Sequence, residues 1–223
     1  VHTDLAYNQI VHIRLLLIGA GDGALQNLSH RLGRALVGKL QQIQGILHAT
    51  AGSGHKSAAV ALARAISTLR PDATVREVDT LVFASRFYRT TYVQSYNAMA
   101  ARAPQLWGAL YSLWSQQQVN RSAGPAREAL DRLALRSLVR VVEREKPDAV
   151  VCTHFLPVEA LWPRRRANKL PVPLYVVITD FTANPVWIYP HVDRYFVASE
   201  QTAEELHELG VPRERIEVTG IPV

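Results

Sequence analysis

Only one cysteine, Cys152, occurs in the 223 residues. A lone thiol excludes an internal disulfide framework and fits a reducing compartment. Cys152 lies inside an apolar run, so it reads as a buried structural thiol. No apolar stretch reaches the roughly 18–20 residues that a membrane-spanning helix needs. No charged start, apolar middle and cleavage site mark a secretory leader. A chain of this kind meets a membrane from the side, if at all. Internal repeats and low-complexity segments are also missing. Val1 opens the chain and Gly220-Ile221-Pro222-Val223 ends it without a polar tail, so both ends are expected to be cuts.

What is present is an ordinary globular balance, with 48 % apolar and 20 % charged residues. The formal net charge is +6, and most of the cations are arginines. That excess suits phosphate, nucleic acid or anionic lipid without choosing among them.

Short apolar runs alternate with amphipathic segments. Val11 to Ile18 reads as a strand, followed by a glycine loop at Gly19, Gly21 and Gly23 and a helix carrying Leu25, Leu28, Leu32, Leu36 and Leu40. A second unit runs from a strand at 43–49 through Gly52-Ser53-Gly54-His55 into a helix from Lys56 to Leu69, stopped by Pro71. Further strands are expected at 74–78, 148–152, 174–178, 194–198 and 216–218, with helices at about 125–146 and 202–209. Leu130, Leu133, Leu135, Leu138 and Val142 form the apolar side of the longer one. The pattern predicts an α/β fold, a Rossmann-like parallel sheet with helices on both faces.

In such sheets ligands sit outside the carboxyl ends of the strands. Three segments place polar groups there: Gly52-Ser53-Gly54-His55, then Thr153-His154, then Thr179-Asp180-Phe181. The positive end of a helix dipole at Lys56 disfavours imidazolium, which leaves His55 neutral and able to take a proton from a hydroxyl. A bland alternative has His55 simply capping and packing the helix start. Known phosphate motifs fit poorly. His55 separates Gly54 from Lys56, which breaks a Walker loop. The first glycine loop lacks an acidic residue some 20 positions on, because no Asp or Glu occurs between Asp22 and Asp72. A nucleotide-type reading of 52–79 stays open through Asp79.

Between Leu81 and Gln118 aromatic residues crowd together. Tyr88, Tyr92 and Tyr96 lie four apart, and Trp107, Tyr111 and Trp114 share a helical face, with Phe87, Arg86, Arg89 and Arg102 among them. Such stripes form core, or they form an interfacial membrane helix with rings at headgroup depth and cations on lipid phosphates. The Arg164-Arg165-Arg166 run reads as a solvated loop able to add attraction to anionic lipid.

The segment Ala49-Thr50-Ala51-Gly52-Ser53-Gly54-His55-Lys56 and the helix after it resemble the glycine-rich loop of the diacylglycerol glycosyltransferases, the monogalactosyldiacylglycerol synthase and processive diacylglycerol glucosyltransferase family. That family is similar to the peptidoglycan lipid-intermediate N-acetylglucosaminyltransferase. Val176 to Trp187, Val192 to Glu200 and Leu209 to Val223 carry the resemblance onward in order. It implies the amino-terminal half of a GT-B enzyme, with residues 43–223 as the acceptor-binding domain ending at an interdomain linker and the donor-binding domain absent. Residues 1–42 would be an extension or an extra strand-helix unit.

The implied reaction moves a hexose from a UDP-sugar to diacylglycerol, without a tightly bound cofactor or metal, at the cytoplasmic face of the cell membrane. This piece alone would not turn over. His55 maps onto the candidate base, while Gly52, Ser53, Gly54, Thr153, His154, Thr179, Asp180, Asn184 and Trp187 are implied acceptor-binding residues. Phe87, Tyr88, Tyr92, Trp107, Tyr111 and Trp114 are implied membrane contacts on an anionic surface. Asn184 stands where a histidine is expected, and amide cannot exchange a proton near neutral pH. Two other readings are a non-catalytic lipid-binding module and a nucleotide-dependent oxidoreductase.

Overall fold

The computed structural model describes residues 45–49, 53–102 and 129–222. The first strand-helix unit, the loop at Gly52 and the residues Trp107, Tyr111 and Trp114 lie outside them. Six parallel strands form one sheet: β1 (Gly45–His48), β2 (Glu77–Asp79), β3 (Val150–Cys152), β4 (Leu174–Val177), β5 (Arg194–Val197) and β6 (Ile216–Val218). Their spatial order is β2-β1-β3-β4-β5-β6. The registers pair Leu47 with Val78 and with Cys152, and Val176 with both Cys152 and Tyr195.

The helices are α1 (Ser53–Leu69), α2 (Arg86–Arg102), α3 (Arg136–Glu145), α4 (Phe155–Arg166) and α5 (Glu200–Glu208). Strand residues alternate between the two faces, as pleating requires. Ile46, Val151, Val177 and Phe196 join Ala59, Leu62 and Ile66 of α1. Leu47, Val150, Cys152, Val176 and Val197 instead join Leu138 and Val142 of α3, Leu156 and Leu161 of α4, and Leu206 of α5. Both faces of the sheet are therefore covered, which explains why its strands read as continuous apolar runs. This is the α/β, Rossmann-like class.

Four local expectations change. Residues 164–166 are the last turn of α4 rather than a loop. Arg164 pairs with Glu143, and Arg165 reaches Asp193 at 2.9 Å, so two of the three cations are engaged within the fold. Leu156 through Leu161 are all buried, which removes the one-sided periodicity that usually reveals a helix.

The helix expected at 125–146 breaks at Leu135, a non-helical residue between the turns at 129–134 and α3. Backbone bonds still cross it, Leu135 N to Asp131 O and Val139 N to Leu135 O, and Asp131, Leu135, Leu138 and Val142 form one buried face, which leaves Leu130 and Leu133 on the exposed side. Asp79 spends its side chain on capping a 3-10 turn, accepting from Leu81 N at 2.9 Å.

Helix α5 begins earlier than expected because Ser199 accepts from Thr202 N. It ends where Gly210 adopts φ 101°, a left-handed geometry that glycine accommodates without strain.

Candidate functional site

The strand order reverses direction at β1. Helix α1 leaves β1 on one face of the sheet, and α4 leaves β3 on the other. This reversal is the position where ligands enter folds of this class. His55 stands in the first turn of α1, and His154 is the N-cap of α4. The two imidazoles meet edge to face with ring centroids 4.5 Å apart.

Hydrogen bonds fix which nitrogen of each ring carries the proton. His55 Nδ1 lies 2.8 Å from the Thr153 carbonyl oxygen. A carbonyl can only accept, so Nδ1–H is the donor and neutral His55 keeps its lone pair on Nε2. Thr179 Oγ1, 2.7 Å from the same Nδ1, stands at a second angle to that donor. Thr153 Oγ1 returns a bond to the His55 carbonyl at 2.8 Å, tying α1 to the end of β3.

His154 has the opposite arrangement. Its Nδ1 accepts from Leu156 N at 3.0 Å, so any proton on the neutral ring sits on Nε2. Burial lowers the pKa of His55, with His48 adding to the fall, while the Asp180 charge and the Thr153 bond oppose it. His154 is lowered well below its ordinary value, by burial first and then by His55 and His48. Both rings are therefore held neutral at physiological pH.

Asp180 follows Thr179 at the mouth of β4, and its Oδ2 accepts the Trp187 indole N–H at 2.8 Å. Trp187 packs tilted to His55 with centroids 6.1 Å apart. Asn184 Oδ1 accepts from Val186 N at 2.9 Å and so caps the turn Pro185–Trp187. Two bonds to α5 hold the backbone of this loop: Thr202 Oγ1 donates to Phe181 O, and Ala183 N donates to Glu205, both at 2.8 Å.

All three expected rim segments thus converge on His55. Their roles divide. Thr153, His154, Asn184 and Trp187 have 0, 2, 2 and 1 % of their surface exposed. Thr153, His154 and Trp187 pack against the His55 ring, and Asn184 caps the turn that carries Trp187. Gly54 is exposed, and His55, Thr179 and Asp180 are half-buried. A Cβ added at Gly54 meets nothing within 4 Å. The Asn184 amide oxygen works as a cap. Sequence reasoning missed Phe181 as a loop anchor through its backbone, and His48, whose Nε2 contacts Glu77 beneath α1. The apolar run around His48 concealed the latter.

The aromatic stripe of α2 separates in a similar way. Tyr88 and Tyr92 stack at 5.8 Å and pack on the core, and the Tyr88 hydroxyl donates to the buried Asp131. Phe87 points outward with 81 % exposure, flanked by the exposed Arg86 and Arg89.

The chain is similar to processive diacylglycerol beta-glucosyltransferases. It is 41 % identical over 86 residues to that of Bacillus cytotoxicus, covering 39 % of this chain and 22 % of the relative. It is 40 % identical over 92 residues to that of Bacillus cereus, covering 41 % and 22 %. For Bacillus thuringiensis the figures are 39 % over 83 residues, covering 37 % and 21 %. In each case the match spans less than a quarter of the relative's length. The family model for monogalactosyldiacylglycerol (MGDG) synthase matches residues 55–223, well over half of the chain. The protein belongs to the monogalactosyldiacylglycerol synthase family.

Proposed function

We propose that this chain is the acceptor-binding part of a glycosyltransferase that moves a hexose from a UDP-sugar to diacylglycerol, with His55 as general base. The observation that carries the proposal is the fixed His55 tautomer, in which Nδ1–H is held by Thr153 O and the Nε2 lone pair is left for chemistry. In the step, the lipid hydroxyl oxygen attacks the anomeric carbon. The bond from that carbon to UDP breaks, UDP leaves with the electron pair, and the hydroxyl proton passes to Nε2. Gly54, Thr179 and Asp180 are the polar edge against which the glycerol would lie. Nothing in this segment is assigned to the UDP-sugar, which we assign to a donor-binding domain outside it.

The outward side of α2, with Phe87 between Arg86 and Arg89, is the surface we place against an anionic membrane, as a peripheral contact on the cytoplasmic side. An apolar ring at headgroup depth with guanidinium groups on phosphates suits that position. Among the described residues no helix is long and apolar enough to cross a membrane.

The test supplies diacylglycerol in mixed micelles and radiolabelled UDP-hexose to the chain joined to the donor half of a Bacillus cereus relative. A labelled glycolipid is expected, and His55→Ala should lower its formation about 100-fold or more. A near-normal rate in the variant would remove His55 from the reaction, and no product from the wild-type fusion would remove the assignment.

A further inference from the structure

We propose that Asp180 is the counter-charge of His55, and that Trp187 is a positioning residue that aims it, with Asn184 setting Trp187 in turn. The inference rests on the reading of His55 as the base for its catalytic meaning, though not for its physical content.

Geometry supplies the argument. Asp180 is bracketed by two neighbours of the His55 ring: Thr179, whose Oγ1 is 2.7 Å from Nδ1, and Trp187, whose ring lies 6.1 Å away. The indole N–H fixes one carboxylate oxygen at 2.8 Å. Trp187 is itself 1 % exposed and closes a three-residue turn whose entry is held by the Asn184 cap. An indole N–H can only donate, so Asp180 Oδ2 is its acceptor and the carboxyl group is held in one orientation. Of the other groups, His48 from β1 opposes added positive charge, His154 at the start of α4 meets the ring edge to face at 4.5 Å, and Glu77 contacts His48. Asp180 is the group whose charge acts in the stabilising sense. When a proton arrives on Nε2, the new imidazolium therefore has a carboxylate already oriented near it, and little rearrangement is needed.

The experiment is a pH titration of the His55 ring by NMR on this chain, with 15N-labelled histidine and no sugar or lipid. Asp180→Asn should weaken His55 proton affinity about tenfold. Trp187→Phe, which keeps the ring and removes the N–H, should shift it in the same direction by a few-fold. The double variant should match Asp180→Asn alone. Asn184→Leu should reproduce the Trp187→Phe shift, and Asn184→Ser, which retains an uncharged oxygen for Val186 N, should restore the wild-type titration. An unchanged midpoint in Asp180→Asn would overturn the counter-charge. A Trp187→Phe shift that is absent, or that adds in full to Asp180→Asn, would overturn the positioning role. Because no turnover is read, these results stand apart from success or failure of the transfer assay.

Discussion

Adding one methyl group at Gly54 should stabilise the chain and impair acceptor binding at once. Gly54 lies in the first turn of α1 with ordinary helical freedom of space, since a Cβ built there meets nothing within 4 Å. Gly→Ala in a helix is favourable by roughly 0.5–1 kcal/mol, because the unfolded chain loses entropy and no new clash arises. For a domain of this size that corresponds to a rise of about 1–4 °C in Tm. In the proposed reaction that space, next in sequence to His55, takes the glycerol of the acceptor. A methyl group there should raise KM for diacylglycerol about tenfold with a smaller effect on kcat, which is the pattern for lost uniform binding. Circular-dichroism melts of Gly54→Ala and micellar kinetics of the fusion protein give the two readings. A lowered Tm would show that the loop needs glycine for its backbone. An unchanged KM would show that the acceptor does not approach this side of α1.

Two further outcomes follow from burial. His55 and His154 both have pKa values lowered in the folded state, so the unfolded chain binds more protons below about 6.5. Stability should therefore be flat above that pH and fall as pH drops from about 6.5 toward 5. His154→Asn, which keeps an acceptor for Leu156 N, should flatten the slope in pH-dependent melts, and a Tm that holds or rises toward pH 5 would contradict the buried neutral rings. Cys152 is fully buried and its thiol is pushed far up by burial. Iodoacetamide at pH 8 should leave it unmodified in the native chain and label it stoichiometrically in denaturant, as mass spectrometry would report; rapid native labelling would mean that β3 is not where the core places it.

The sheet was legible because its strands are buried on both faces, so that 43–49 and 174–178 read as plain apolar runs around Gly45–His48 and Leu174–Val177. The run at 174–178 exceeds the ladder by one residue at its carboxyl end. Helix α4 was not legible. It is buried on nearly every side, contains Pro163, and ends in three arginines, so nothing in its pattern has a helical period. The rim segments were found because strand ends in a parallel sheet face one way. What each rim residue does was not found, since it depends on contacts that sequence spacing does not encode. Thr153 and Thr179 meet His55 from 98 and 124 positions away. Asn184 and Trp187 look like exposed loop residues in sequence, and only the turn Pro185–Trp187 folds them inward.

Two imidazoles 4.5 Å apart cannot both be protonated without strong mutual repulsion. The fold resolves this by giving them unlike partners. A backbone N–H from Leu156 holds His154 Nδ1 as an acceptor at the start of α4, where a cation is also disfavoured by the helix dipole. A carbonyl from Thr153 holds His55 Nδ1 as a donor, which turns its basic nitrogen away from that bond. Protonating His154 would break its cap, whereas protonating His55 keeps its Thr153 bond and strengthens it by adding charge. Of the two rings, His55 is therefore the one able to gain a proton and lose it again with its supporting hydrogen bonds intact, and a base that must be returned to its starting state after every transfer requires that property.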